Sequence, residues 1–134
     1  MYGLGRDEQI GNLTLKPFSE QGFVDDLASC RGVIANGGLS LLNEAVSLHK
    51  PVLSVPVRNQ YEQLLNAFYI RELGYGLYAE TIETEALQEF VKRLPQFATR
   101  VASFQHDGNQ KLFKTLGGIL EDFEAKDFGR ELRR

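Results

Sequence analysis

A chain of 134 residues is long enough for one domain around a single core, and 43% hydrophobic with 25% charged residues excludes a disordered chain. A net charge of −3 leaves none of the basic excess that nucleic-acid binding requires. The one cysteine, Cys30, cannot form an intrachain disulfide, and no apolar run approaches the roughly 20 residues of a membrane span.

Residues 1–8 are glycine-rich and charged, with no apolar stretch of the signal-peptide kind. They read as the end of a strand running into a loop, so the expectation is a fragment that lacks what came before. Residues 12–18 alternate apolar and polar side chains between Gly11 and Pro17, which predicts a strand. Ser19 is placed to cap a helix carrying Phe23, Val24, Leu27 and Ala28, with Cys30 a small apolar residue near its end and Gly32 the breaker. Val33, Ile34 and Ala35 form a short, wholly apolar run, as expected of a strand buried on both faces. A helix is predicted over 39–48 and is stopped by Lys50-Pro51. A third strand is predicted over 51–55, a loop over 56–59 and a second amphipathic helix over 60–73, with Gly74 at its C′ position. Residues 76–79 give a fourth strand. Residues 84–94 give a helix ending before Pro95, and two more helices are expected over 97–104 and 109–123. From Glu124 the chain is a charged tail. The basic cluster at 130–134 reads as solvated, with weak attraction to an anionic lipid surface as the sharper alternative.

Strands alternating with helices predict an α/β fold, a Rossmann-like parallel sheet with helices on both faces, in a single domain over 1–134. Ligands of such sheets bind outside the carboxyl ends of the strands. Two turns there carry chemistry. The first is Asn36-Gly37-Gly38-Leu39-Ser40, where a strand runs through two glycines into a helix. Unpaired N–H groups of the first helical turn, together with the helix dipole, suit a phosphate or diphosphate; a plain tight turn uses the same residues. Glu44 lies about one turn further along, where a carboxylate can accept hydrogen bonds from both ribose hydroxyls or stand as a surface charge. The second turn follows the next strand. Its Glu62 and Gln63 can hydrogen-bond a polyol, or simply decorate a helix start, and Arg58 can meet a phosphate or a sugar carboxylate, or remain solvated.

The run Asn36-Gly37-Gly38-Leu39-Ser40-Leu41-Leu42-Asn43-Glu44-Ala45, then Lys50-Pro51-Val52-Leu53, Pro56, Glu62-Gln63, Asn66-Ala67 and Leu73-Gly74-Tyr75-Gly76, resembles the donor-binding signature of GT-B glycosyltransferases. It is most similar to the UDP-glucuronosyltransferase-like group and the lipid-linked N-acetylglucosaminyltransferase of peptidoglycan synthesis. The resemblance covers about a third of the chain. It implies the C-terminal half of a GT-B fold, truncated at its N-terminus, that binds a UDP-sugar and serves transfer of a hexosyl group to an acceptor. The donor diphosphate would rest on Asn36, Gly37, Gly38, Leu39 and Ser40, the ribose on Glu44, and the sugar hydroxyls on Glu62 and Gln63. Asn36 stands where many members carry histidine, and Leu41 where they carry a polar residue.

The resemblance also implies that the acceptor and the catalytic base come from an N-terminal domain that is missing here. No catalytic residue is therefore assigned, and the chain alone is expected to be inactive. His49 and His106 are expected at the surface. No metal or cofactor is expected beyond the UDP-sugar co-substrate, and no nucleic acid as partner. The expected location is cytoplasmic, with membrane association only through the full-length protein. Two other readings stand beside this one: a sugar-nucleotide epimerase-like domain, and a non-catalytic module that binds a nucleotide-sugar or a protein.

Overall fold

The structure is a computed structural model that describes residues 1–105 and 108–131, with side chains described up to 123. Two compact units are present, Met1–Phe104 and Gln105–Arg134.

The first unit opens with a hairpin. Strand β1 (Glu8–Ile10) pairs antiparallel with β2 (Leu13–Leu15), in the register Ile10 opposite Leu13. The strand expected over 12–18 is therefore shorter, and it is not part of the parallel sheet. The physical reason is polarity: a strand buried on both faces needs continuous apolar side chains, and Leu13-Thr14-Leu15-Lys16 has an apolar residue only at alternate positions. Only Leu15 of the hairpin is buried. The strand end expected within residues 1–8 is also corrected, because residues 1–7 hold no strand and β1 begins at Glu8.

Helix α1 (Glu20–Ser29) begins at its expected cap: the Ser19 hydroxyl accepts the Gly22 N–H at 3.3 Å. Strand β3 (Val33–Ala35), helix α2 (Leu39–Ser47), strand β4 (Val52–Ser54), helix α3 (Tyr61–Glu72) and strand β5 (Gly76–Tyr78) follow. The three strands form a parallel sheet in the order β3-β4-β5, with Val33 beside Val52 and Val52 beside Gly76. Strand β4, in the centre, is buried along its length. Its side chains alternate between two cores. Val52 packs with Leu27, Ala35, Leu42, Val46 and Ile70 on one side of the sheet, and Leu53 packs with Phe90 and Phe97 on the other. Strand β3 lies at the edge of this sheet, and Ile34 is half exposed rather than buried on both faces as expected.

Helix α3 ends as the sequence indicates. The Gly74 N–H bonds to the Arg71 carbonyl at 3.0 Å and the Tyr75 N–H to the Ile70 carbonyl at 3.0 Å, the paired bonds of a Schellman end. Helix α4 (Thr84–Val101) differs from expectation, running through Pro95 without a break. Proline removes one hydrogen bond and costs about 3 kcal/mol or more in a helix interior. Against that, Leu87, Phe90, Leu94, Phe97 and Val101 make one unbroken apolar stripe. Phe90, Phe97 and Val101 are buried, each contributing roughly 1.5–3 kcal/mol. The stripe wins because Pro95 itself lies on the exposed side.

The second unit holds α5 (Gln110–Glu131), which extends past the expected end at 123 into the region read as a tail. Its Leu112, Leu116, Ile119 and Phe123 are exposed and recur at helical spacing. His106 and the side chains of the basic cluster at 130–134 lie outside the described residues.

Candidate functional site

Both chemistry-bearing turns leave the carboxyl ends of neighbouring strands. Asn36-Gly37-Gly38 follows β3, and residues 55–60 follow β4, so the parallel pairing brings them to one edge of the sheet. Gly37 is the pivot. Its φ of +97° belongs to a region that side-chain-bearing residues avoid. A Cβ placed there would lie 2.8 Å from the Gln63 carbonyl oxygen and 3.0 Å from Ser54 Oγ. Glycine thus serves twice: it turns the chain, and it lets the loop press against the start of α3.

The loop then feeds α2. Gly38 occupies the N-cap position, and no side chain caps the helix. The first intrahelical bond runs from the Leu42 N–H to the Gly38 carbonyl at 3.2 Å, so the N–H groups of Leu39, Ser40 and Leu41 have no partner within the helix. Asn36, Gly38, Leu39 and Ser40 are exposed, while Gly37 is buried behind them. An exposed, uncapped helix start of this kind suits an anion. Glu44 is exposed on the same helix and makes no ion pair among the described residues.

On the other side of the loop, α3 supplies three polar side chains. Asn66 donates from Nδ2 to the Gly37 carbonyl at 3.0 Å. Gln63 accepts the Val57 N–H on Oε1 at 3.0 Å, which ties the 55–60 loop to the helix and leaves its Nε2 group as the end available to a ligand. Glu62, in the first turn of α3, is exposed. Arg58 is exposed too, and it lines a cleft of about 290 Å³ with Val57, Tyr61, Leu64, Tyr78 and Glu80. That cleft adjoins the second turn between the ends of β4 and β5, one strand away from Gly37. The sequence did not single out Tyr61, Tyr78 or Glu80.

The structure thus brings Asn36, Gly37, Gly38, Leu39 and Ser40 together with the start of α3, where Glu62 and Gln63 sit. His49 lies past the far end of α2, exposed, in a left-handed conformation with φ 56°, and its Nε2 is 3.2 Å from the Phe104 carbonyl. Among the described residues no group of three or more His, Cys, Asp or Glu could hold a metal ion, and no helix is long and apolar enough to cross a membrane.

Residues 1–95 match the family model described as glycosyl transferase family 1. The chain belongs to that family. Two relatives are uncharacterized glycosyltransferases of Methanosarcina. The one from Methanosarcina acetivorans is 35% identical over 94 residues, covering 57% of this chain and 25% of the relative. The one from Methanosarcina mazei is 34% identical over 89 residues, covering 56% and 24%. The chain therefore spans about a quarter of the length of these relatives. Among solved structures, a spinosyn forosaminyltransferase superposes with a TM-score of 0.61 at 22% identity, over 71% of this chain and 26% of that one. The glycotransferase of kitacinnamycin superposes with a TM-score of 0.57 at 21% identity, over 71% and 26%. These likenesses give the fold: an α/β unit of the GT-B glycosyltransferase type.

Proposed function

We propose that this chain is the donor-binding, C-terminal part of a GT-B glycosyltransferase of the UDP-glucuronosyltransferase-like group, which takes a UDP-sugar and serves hexosyl transfer to an acceptor. The observation that carries this reading is the joining of the Gly37 loop to the start of α3, through the 3.0 Å bond from Asn66 to the Gly37 carbonyl. One rigid edge then offers amide donors for a diphosphate and, beside them, Glu62 and Gln63 for sugar hydroxyls. The diphosphate rests on the N–H groups at Gly38, Leu39 and Ser40, with Asn36 adding a neutral donor. The Glu44 carboxylate accepts from the ribose hydroxyls. Glu62 accepts from sugar hydroxyls and Gln63 donates to one through Nε2. Arg58 meets the outer face of the donor.

In the transfer, the acceptor oxygen forms a bond to the anomeric carbon as the bond to the diphosphate oxygen breaks, with inversion. The acceptor proton passes to a base outside this chain, and UDP leaves with the electron pair. The amides at the start of α2 stabilise the charge that grows on the leaving diphosphate.

Glu44→Gln tests the reading. The amide keeps the shape but loses charge-assisted bonds worth about 1.5–3 kcal/mol, so UDP affinity falls roughly 10- to 150-fold. The melting temperature stays within a degree or two, because an exposed carboxylate contributes little to folding. Calorimetric titration with UDP, paired with thermal melting, reads both. Unchanged affinity with a lowered melting temperature would return Glu44 to the scaffold.

A further inference from the structure

Two polar side chains lie behind Gly37, and only one of them bonds to it. Asn66, half-buried on α3, donates from Nδ2 to the Gly37 carbonyl at 3.0 Å, across 29 residues of sequence. Ser54, at the end of β4, is wholly buried, and its hydroxyl has no hydrogen-bond partner although it lies 3.0 Å from the position of a Gly37 Cβ. Fixing Gly37 fixes the directions of the amides that follow it, because a peptide unit is planar and α2 begins at once after Gly38. No side chain caps α2, so nothing at its own N-terminus orients those amides.

We propose that Asn66 is a positioning residue for donor binding, one that touches no donor atom and sets the Gly37–Gly38 peptide so that the α2 amides converge on a diphosphate. This rests on the donor reading above and names how that site is held. The same side chain couples the two halves of the edge. Asn66 lies one helical turn beyond Glu62 and Gln63, so a ligand that shifts the start of α3 also shifts the anion loop.

The test uses the 134-residue chain with Asn66→Ala, Asn66→Asp and, as a control, Ser54→Ala. Titrations with UDP and with inorganic diphosphate are run well below each variant's melting temperature. Asn66→Ala loses one hydrogen bond to the loop, and affinity falls about 3- to 10-fold. The factor is the same for UDP and for diphosphate, because the defect lies in the phosphate amides. Asn66→Asp sets a carboxylate against the Gly37 carbonyl and weakens both ligands further. Ser54→Ala removes a hydroxyl with no partner and leaves both affinities unchanged. Without any ligand, hydrogen exchange at the Leu42 amide, which bonds to the Gly38 carbonyl at 3.2 Å, speeds up in Asn66→Ala and not in Ser54→Ala. If Asn66→Ala lowers the melting temperature while both affinities hold, Asn66 is only structural and the proposal is overturned. If UDP weakens and diphosphate does not, it is overturned as well. Wild-type chain that binds neither probe refutes the donor reading and takes this proposal with it, whatever the exchange data show.

Discussion

At the scale of single residues, side chains in this molecule divide by whether the fold has already used them. Gln63 is the instructive case. The resemblance implies that it holds a sugar hydroxyl, and its Oε1 is taken by the Val57 N–H at 3.0 Å. Gln63→Ala is therefore expected to act twice. It destabilises the chain by about 0.5–1.5 kcal/mol, the net worth of one hydrogen bond, and it weakens a UDP-sugar more than UDP. Urea unfolding and paired titrations measure the two parts.

Asp26 is held in a different way, by Lys16 Nζ at 2.6 Å and the Tyr2 hydroxyl at 2.7 Å, which clips the chain start and the end of β2 onto α1. The Lys16 hydrogen bond, then that of Tyr2, pulls the Asp26 carboxyl below its ordinary 3.8. The same contact holds the Lys16 ammonium above its ordinary 10.5, and the Asp26 hydrogen bond raises Tyr2 above 10.0. A carboxylate with a depressed folded pKa stabilises above its unfolded pKa and loses that contribution as pH falls through the folded value. Lys16 and Tyr2, both raised, contribute below their unfolded values and lose it as pH rises through the folded ones. The clip is thus expected to hold through the neutral range and to open only as pH falls below 3.8 or rises above 10.0. Amide exchange in β2 across pH reads this, and Asp26→Asn should remove the acid limb. None of this was legible beforehand, because contacts spanning 10 and 24 residues leave no local pattern.

At the scale of elements, periodicity carried most of what could be read. The strands at 33–35 and 52–54, the cap at Ser19 and the end at Gly74 all announce themselves by local chemistry. The hairpin does not: Gly11-Asn12 is a two-residue turn signal, but Glu8-Gln9-Ile10 before it lacks the alternation that marks a strand. Pro95 signals a helix end by local chemistry, and the apolar stripe on both sides of it overrides that signal. That stripe gives an expected outcome: Pro95→Ala restores a backbone donor at an exposed position and stabilises α4 by about 2 kcal/mol, after allowing for the greater freedom of the unfolded chain. The reverse holds at Gly76. A Cβ there would sit 1.7 Å from the Val52 carbonyl oxygen of the neighbouring strand, which cannot retreat without breaking the β4-β5 ladder. Gly76→Ala should cost about 3 kcal/mol or more, or prevent folding, as denaturant titration would show.

At the scale of the whole molecule, the Gly37 loop and the start of α3 meet at one edge of the sheet. The parallel order β3-β4-β5 places the Gly37 loop beside the start of α3, and that adjacency follows from the short connections the sequence displays. The linkage through Asn66 could not be read from sequence, because a side-chain amide reaching a backbone carbonyl depends on the packing of α3 rather than on spacing. Binding and turnover should therefore separate. The 134-residue chain is expected to bind UDP, giving a stabilisation of about 2.7 kcal/mol at 100 times its Kd. It is expected not to transfer sugar at a measurable rate. Glycosyl transfer needs an acceptor oxygen held against the anomeric carbon and a base within reach of its proton, and much of the barrier reduction comes from that positioning. The chain spans about a quarter of the length of its curated relatives. Release of UDP from a UDP-sugar, followed with a mixture of simple alcohols and phenols as acceptors, measures the rate. Robust turnover by the purified chain would place acceptor and base within these residues. The cleft lined by Arg58, Tyr61, Tyr78 and Glu80 would then be the first place to look for both.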